Sequence, residues 1–127
     1  MSQVTVRVSC FPTEDPEKVK QAILNIFPGS EFEIGETGFF AKTTSLEKFK
    51  EVLLDLRILD TARRKLLKGR EGNRTSFSLN KQVAYVGKVS FVEERLALGS
   101  IDVVIDDVEL DTVIDDIAPK TINGEIP

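Results

Sequence analysis

Val4-Thr5-Val6-Arg7-Val8-Ser9-Cys10, followed closely by Thr13-Glu14-Asp15-Pro16, decides the fold class. Val4, Val6, Val8 and Cys10 alternate with Thr5, Arg7 and Ser9, the two-residue period of a strand with one buried face. The next four residues open a helix. Asp15 can accept from its free N–H groups, and Pro16 suits the first helical position, where a missing N–H costs nothing. Val19, Ala22, Ile23, Ile26 and Phe27 then recur at helical spacing until Pro28-Gly29 stops the run.

Working outward, Phe32 and Ile34 predict one short strand and Phe39 to Thr43 its return, with a turn over Gly35 to Gly38. Thr44 and Glu47 have capping-box spacing, and Leu46, Phe49, Leu53 and Leu56 form an apolar stripe behind them. A second helix carries Leu59, Ala62 and Leu66 inward and stops at Gly69. Three strands follow, marked by Phe77 and Leu79, by Val89 and Phe91, and by Ile101, Val103 and Ile105. Leu110, Val113, Ile114 and Ile117 form a last helix that ends at Pro119. Strands and helices do not alternate regularly, so the expected class is α+β, a single domain over residues 1–127.

Composition narrows the function. The chain is 41% apolar and 30% charged, neither a disordered tail nor a membrane protein. No apolar run approaches the roughly 20 residues of a bilayer span, and Met1-Ser2-Gln3-Val4 does not begin a signal peptide. Cys10 is the single cysteine, which rules out an intramolecular disulfide and suits a cytoplasmic location. One Met, one Cys, four Asn and three Gln lean toward a thermophilic source.

Charge is segregated along the chain. Residues 1–56 carry six basic and nine acidic residues. Residues 57–88 carry nine basic residues against Asp60 and Glu71, a net of +7, and residues 89–127 carry two basic against ten acidic, a net of −8. On a helix Arg57, Arg64 and Lys68 fall near one face, opposite Leu59, Ala62 and Leu66. Arg70 and Arg74 flank a flexible Gly72-Asn73 loop that could follow a phosphate backbone. Tyr85 lies between Lys81 and Lys88, where a ring could stack on an unpaired base. Asn80, Lys81 and Gln82 offer donors, acceptors and charge to a base edge or a phosphate, or else satisfy backbone groups at an irregular strand end. Arg57, Arg64, Lys68, Arg70, Arg74, Asn80, Lys81, Gln82 and Tyr85 are thus the candidate RNA-binding residues. The alternative is that the basic block solvates one face, pairs with the acidic C-terminal third, or meets an acidic surface on a protein partner or in a homodimer. Phe77 and Phe91 are assigned to the core.

Catalysis and metal binding find little support. Without histidine there is no Ser-His or Cys-His pair and no histidine metal site, so the expectation is a protein that is not an enzyme and uses no cofactor. Lys68-Gly69-Arg70-Glu71-Gly72-Asn73 lacks the terminal Gly-Lys-Ser/Thr of a P-loop, and Asn80-Lys81-Gln82-Val83 lacks the Asp of a guanine-reading GTPase motif. The acidic run from Asp102 to Asp116 lacks the glycine and terminal glutamate of a calcium loop and reads as a solvated face.

Five segments in order carry a family resemblance: Phe11-Pro12-Thr13-Glu14-Asp15-Pro16, Ile58-Leu59-Asp60-Thr61-Ala62-Arg63, Leu79-Asn80-Lys81-Gln82, Leu98-Gly99-Ser100-Ile101, and Ile117-Ala118-Pro119-Lys120-Thr121 with Gly124 behind it. Together they resemble an archaeal protein family that carries an RNA-binding label, with Val83 departing from the small residue expected there. The resemblance covers nearly the whole chain. It implies the fold of the large-subunit ribosomal protein that contacts 5S RNA, a mostly antiparallel sheet with helices packed on one side. It brings no catalytic or binding residues with it.

Overall fold

β1 (Gln3–Ser9) buries Val4, Val6 and Val8 and turns Gln3, Thr5, Arg7 and Ser9 away from the core, as the alternation requires. A computed structural model of the chain, which describes residues 2–92 and 99–121, places this strand inside the sheet. β1 pairs antiparallel with β3 (Gly38–Thr43) on one side and β7 (Ser100–Asp106) on the other. β2 (Glu31–Ile34) pairs outside β3, and β5 (Arg74–Asn80) pairs outside β7. The two-residue strands β4 (Arg70–Glu71) and β6 (Phe91–Val92) both border β5. The sheet order is β2-β3-β1-β7-β5-β4, all neighbours antiparallel, and the class is α+β.

The described chain has five helices, and the first and third end as the sequence indicates. α1 (Pro16–Ile26) starts where expected, with Asp15 accepting from Glu17 N at 3.0 Å and Pro16 in the first turn. α2 (Glu47–Asp55) has no side-chain cap: the Thr44/Glu47 capping box does not form, and Leu46 occupies the cap position. α3 (Leu59–Lys68) is held onto β5 at its C-terminal end, where Thr75 Oγ1, fully buried, donates to Leu66 O at 2.5 Å. A Cβ at Gly69 would collide with the Ser76 carbonyl oxygen, so the chain turns from α3 into the sheet there on glycine. α5 (Leu110–Ile117) closes the described chain, burying Leu110, Ile114 and Ile117.

Two local features depart from expectation. Arg57 lies at the bend between α2 and α3 with a φ of 57°, so it is not part of the α3 face. Asn80-Lys81-Gln82 is not a strand end alone: it opens α4 (Lys81–Tyr85), one short helix that packs beside α1. Asn25 Nδ2 on α1 donates to the carbonyls of Ala84 and Tyr85, at 2.9 and 3.2 Å, satisfying the end of that helix.

The core lies between one sheet face and the helices. Val6, Ala41, Val103 and Ile105 meet Ile23, Leu53, Leu66 and Ile114, all at most 1% exposed. Phe49 on α2 is fully buried, with the Phe27 ring at 5.4 Å and the Phe77 ring stacked at 5.5 Å. Phe91 meets Phe77 edge-on at 5.6 Å, so both are half-buried members of the core, as the sequence indicated. The opposite sheet face holds Thr5, Arg7, Phe40, Lys42, Ser76, Ser78 and Asp102, and every one of them is exposed or half-buried.

Candidate nucleic-acid interface

The Asn-Lys-Gln corner is built inward. Asn80 has extended backbone angles and its Oδ1 accepts from Val83 N at 3.1 Å, so its side chain caps α4. That cap sets the helix direction so that Lys81 enters the protein, where it is 1% exposed. Its Nζ donates to Ser9 O at 2.8 Å and to Glu14 Oε1 and Oε2 at 2.9 and 3.2 Å, and lies 5.1 Å from the Phe11 ring centre. Glu14 also accepts from Phe11 N at 3.0 Å and from the Tyr85 hydroxyl at 3.1 Å. The expected surface roles of Lys81, Tyr85 and Asn80 are therefore corrected: the amine, the phenol and the amide oxygen are all engaged inside the chain. Gln82 alone stays exposed.

This cluster predicts a pH profile. Burial raises the Glu14 pKa, but the Phe11 N–H, the Lys81 hydrogen bond and charge, and the Tyr85 hydroxyl outweigh it, leaving it below the ordinary carboxylate value. Burial also pushes the Tyr85 phenol up to about 12, helped by its hydrogen bond to the Glu14 carboxylate. A lowered carboxylate contributes stability that is present above its unfolded pKa and lost as pH falls through the folded one. A raised phenol contributes stability that is present below its unfolded pKa and lost as pH rises through about 12. Urea unfolding should thus show a plateau from about pH 5 to 9 that drops on both sides. Tyr85 is the only tyrosine, so phenolate absorbance reports it alone: its titration should lie well above the ordinary value of about 10, and Glu14→Gln should bring it down.

Three of the remaining cations of residues 57–88 are neutralised within the chain by the acidic third. Arg63 Nη1 donates to Asp115 Oδ1 at 2.8 Å and to Ala118 O at 3.1 Å, Arg70 pairs with Asp111, and Arg74 Nε donates to Asp106 Oδ1 at 2.7 Å. Hydrogen bonding to Asp111 raises the Arg70 pKa and, reciprocally, lowers that of Asp111. Arg70 Nε also donates to Gly72 O at 3.0 Å, so Arg70 braces the loop it was expected to present to RNA. Lys50 takes Asp116 at 3.0 Å. Asp106, Asp111, Asp115 and Asp116 of the acidic run thus serve as counter-ions.

Other cations of the block lie exposed at the surface. Arg57 and Arg64 are exposed and make no ion pair among the described residues. Arg64 and Lys68 on α3 line a groove of about 740 Å³ together with Arg63 and Lys120, with Asp60 as its acidic residue. Asp60 accepts from the Thr121 hydroxyl, which ties the segment after α5 to the start of α3. Lys120 was missed in the sequence because it lies outside the basic block. Only the fold brings it beside α3.

A family model described as RNA binding matches residues 3–106. The UPF0201 protein of Metallosphaera sedula is 40% identical, covering 98% of this chain and 92% of its own length, and that of Methanocaldococcus jannaschii is 43% identical, covering 98% and 76%. A UPF0200/UPF0201 protein of Archaeoglobus fulgidus is 41% identical over 96% of this chain, which spans 39% of that longer protein. The crystal structure of a UPF0201 protein from Methanococcus jannaschii superimposes with a TM-score of 0.88 at 41% identity, covering 100% of this chain and 99% of the other. An Archaeoglobus protein assigned to DUF54 gives 0.64 at 25% identity over 94% and 97%. Sequence and fold agree, and the chain belongs to the UPF0201 family of archaeal proteins.

Proposed function

We propose that the protein is a non-catalytic RNA-binding module that holds a sugar–phosphate backbone in the groove along α3. The observation that carries this reading is the convergence of Arg64, Lys68 and Lys120 on one groove, beside the Asp115-paired Arg63 and with Asp60 as its one lining carboxylate among the described residues, in a chain whose net charge is −4. Local excess of positive charge on an acidic protein marks a surface with anionic ligands. The family model's description supports the ligand class. The non-catalytic half rests on composition, because a chain without histidine offers few acid–base pairs. A homodimer pairing basic and acidic poles is less favoured, since Asp106, Asp111 and Asp115 already hold Arg74, Arg70 and Arg63 within one chain.

Salt dependence tests it. With about three phosphate contacts to a single strand, log affinity should fall with log salt at a slope of roughly −2. Replacing Arg64 and Lys120 together with Ala should flatten that slope by about 1.4, while Gln82→Ala leaves it unchanged. Lack of any retention of single-stranded or structured RNA pools at about 50 mM salt would sink the proposal.

A further inference from the structure

The sheet face away from the helices ends in a cleft that no part of the α3 groove reading uses. It has a volume of about 620 Å³, within the range of small-ligand sites. Strand register places Phe40, Arg7 and Asp102 side by side across β3, β1 and β7. Phe40 is 39% exposed and Phe11, at the same cleft, 36%, the two most exposed aromatic rings among the described residues. The Phe40 ring lies against Gly35, where a Cβ would come within 2.9 Å of it.

Asp102 is held in one orientation. Its Oδ1 accepts from Ser78 Oγ at 2.7 Å and Ser100 Oγ at 3.1 Å. Its Oδ2 lies 3.9 Å from Arg7 Nη2, too far for a hydrogen bond. The side chain of Arg7 is 61% exposed. The cleft therefore combines aromatic surface, a fixed carboxylate with one loosely held oxygen, and an exposed guanidinium.

We propose that this cleft takes the base of an unpaired guanine, stacked on Phe40 or Phe11, with its N1–H and N2 amino group donating to Asp102 and Arg7 moving to the adjoining phosphate. Guanine presents two neighbouring donors on its Watson–Crick edge, which match the two oxygens of a carboxylate. Adenine and cytosine set a donor beside an acceptor there, and uracil sets its single donor between two acceptors, so each brings a lone pair against the carboxylate. The inference rests on the RNA-binding reading and adds base selection to it. A depression of about 440 Å³ joins the two sites, sharing Lys68 with the α3 groove and Asp102 with the cleft. One strand can thus reach both.

The experiment uses the full chain and short oligouridylates carrying a single central guanine, inosine or adenine, with affinity read by fluorescence anisotropy at low salt. Guanine should bind about tenfold tighter than adenine, with inosine, which lacks the amino group, between them. Asp102→Asn should bring the three within about twofold of one another without changing the salt slope. Phe40→Ala should weaken all three by about tenfold, the loss of one stacking platform, with thermal unfolding used to confirm that both variants fold. Salt-sensitive binding with no base preference overturns the cleft and leaves the α3 groove standing, as does full guanine preference in Asp102→Asn. Wild-type protein that binds none of the oligonucleotides overturns both.

Discussion

Replacing Lys81 with alanine is expected to lower the unfolding free energy by about 3–5 kcal/mol, the cost of leaving one member of a buried ion pair without its partner. Lys81 is 1% exposed and the Glu14 side chain 13%, so water cannot replace the missing ammonium well. Glu14 would keep the Phe11 N–H and the Tyr85 hydroxyl but lose its counter-charge, and Ser9 O would lose its donor. For a chain of this size the melting temperature should drop by roughly 10 °C or more. Taking both partners out together, as Glu14→Gln with Lys81→Met, should recover much of that loss, because no uncompensated charge remains. Urea titrations of the single and double variants measure both. A Lys81→Ala loss below about 1 kcal/mol would show that the pair is open to solvent.

Phe49→Ala should be comparably damaging, at about 3–5 kcal/mol, for a different reason. Its ring is fully buried and joins Phe27 on one side to Phe77 on the other, at 5.4 and 5.5 Å. Truncation loses the transfer energy of the ring and leaves a cavity beneath the sheet that rigid strands cannot collapse into. Phe49→Leu, which refills most of the space, should cost only roughly 1–2 kcal/mol. A double-mutant cycle with Phe77→Leu should show a coupling of about 0.5–1.5 kcal/mol, the part owed to ring stacking rather than to burial. Additivity in that cycle would mean that the stack contributes area alone.

What could be read in the sequence was whatever depends on neighbours a few residues away. The alternation of β1, the Asp15-Pro16 start of α1 and the Gly69 stop of α3 are all local statements, and all hold in the structure. The sorting of side chains into a core face and an open face followed from the same periodicities, as did the α+β class. Polarity misled at Lys81, because a charged residue is a poor guide to exposure once a carboxylate 67 residues away supplies its counter-ion. It misled at Arg70 and Arg74 for the same reason, with partners 41 and 32 residues further on. Arg57 failed differently: a helix wheel assumes continuous helix, and a positive φ breaks the chain there. The α3 groove was half visible, through Arg64 and Lys68, and its Lys120 wall was not. Phe40, Arg7 and Asp102 belong to three separate strands, and only their register makes them neighbours.

The pairing of β1 with β7 also sets a timetable for synthesis. Gln3 opposes Asp106, so the first strand made by the ribosome must wait for nearly the last before one of its edges is filled. Until residues 100–106 emerge, the nascent chain can form the β1–β3 and β2–β3 pairs and little of the sheet beyond them, with a row of unpaired backbone groups along β1 facing solvent or a chaperone. Such long-range closure belongs to the slow end of single-domain folding, in milliseconds to seconds rather than microseconds. Translation therefore completes the sheet from its C-terminal side, and a chain halted before β7 carries an adhesive edge where the finished protein has a central strand.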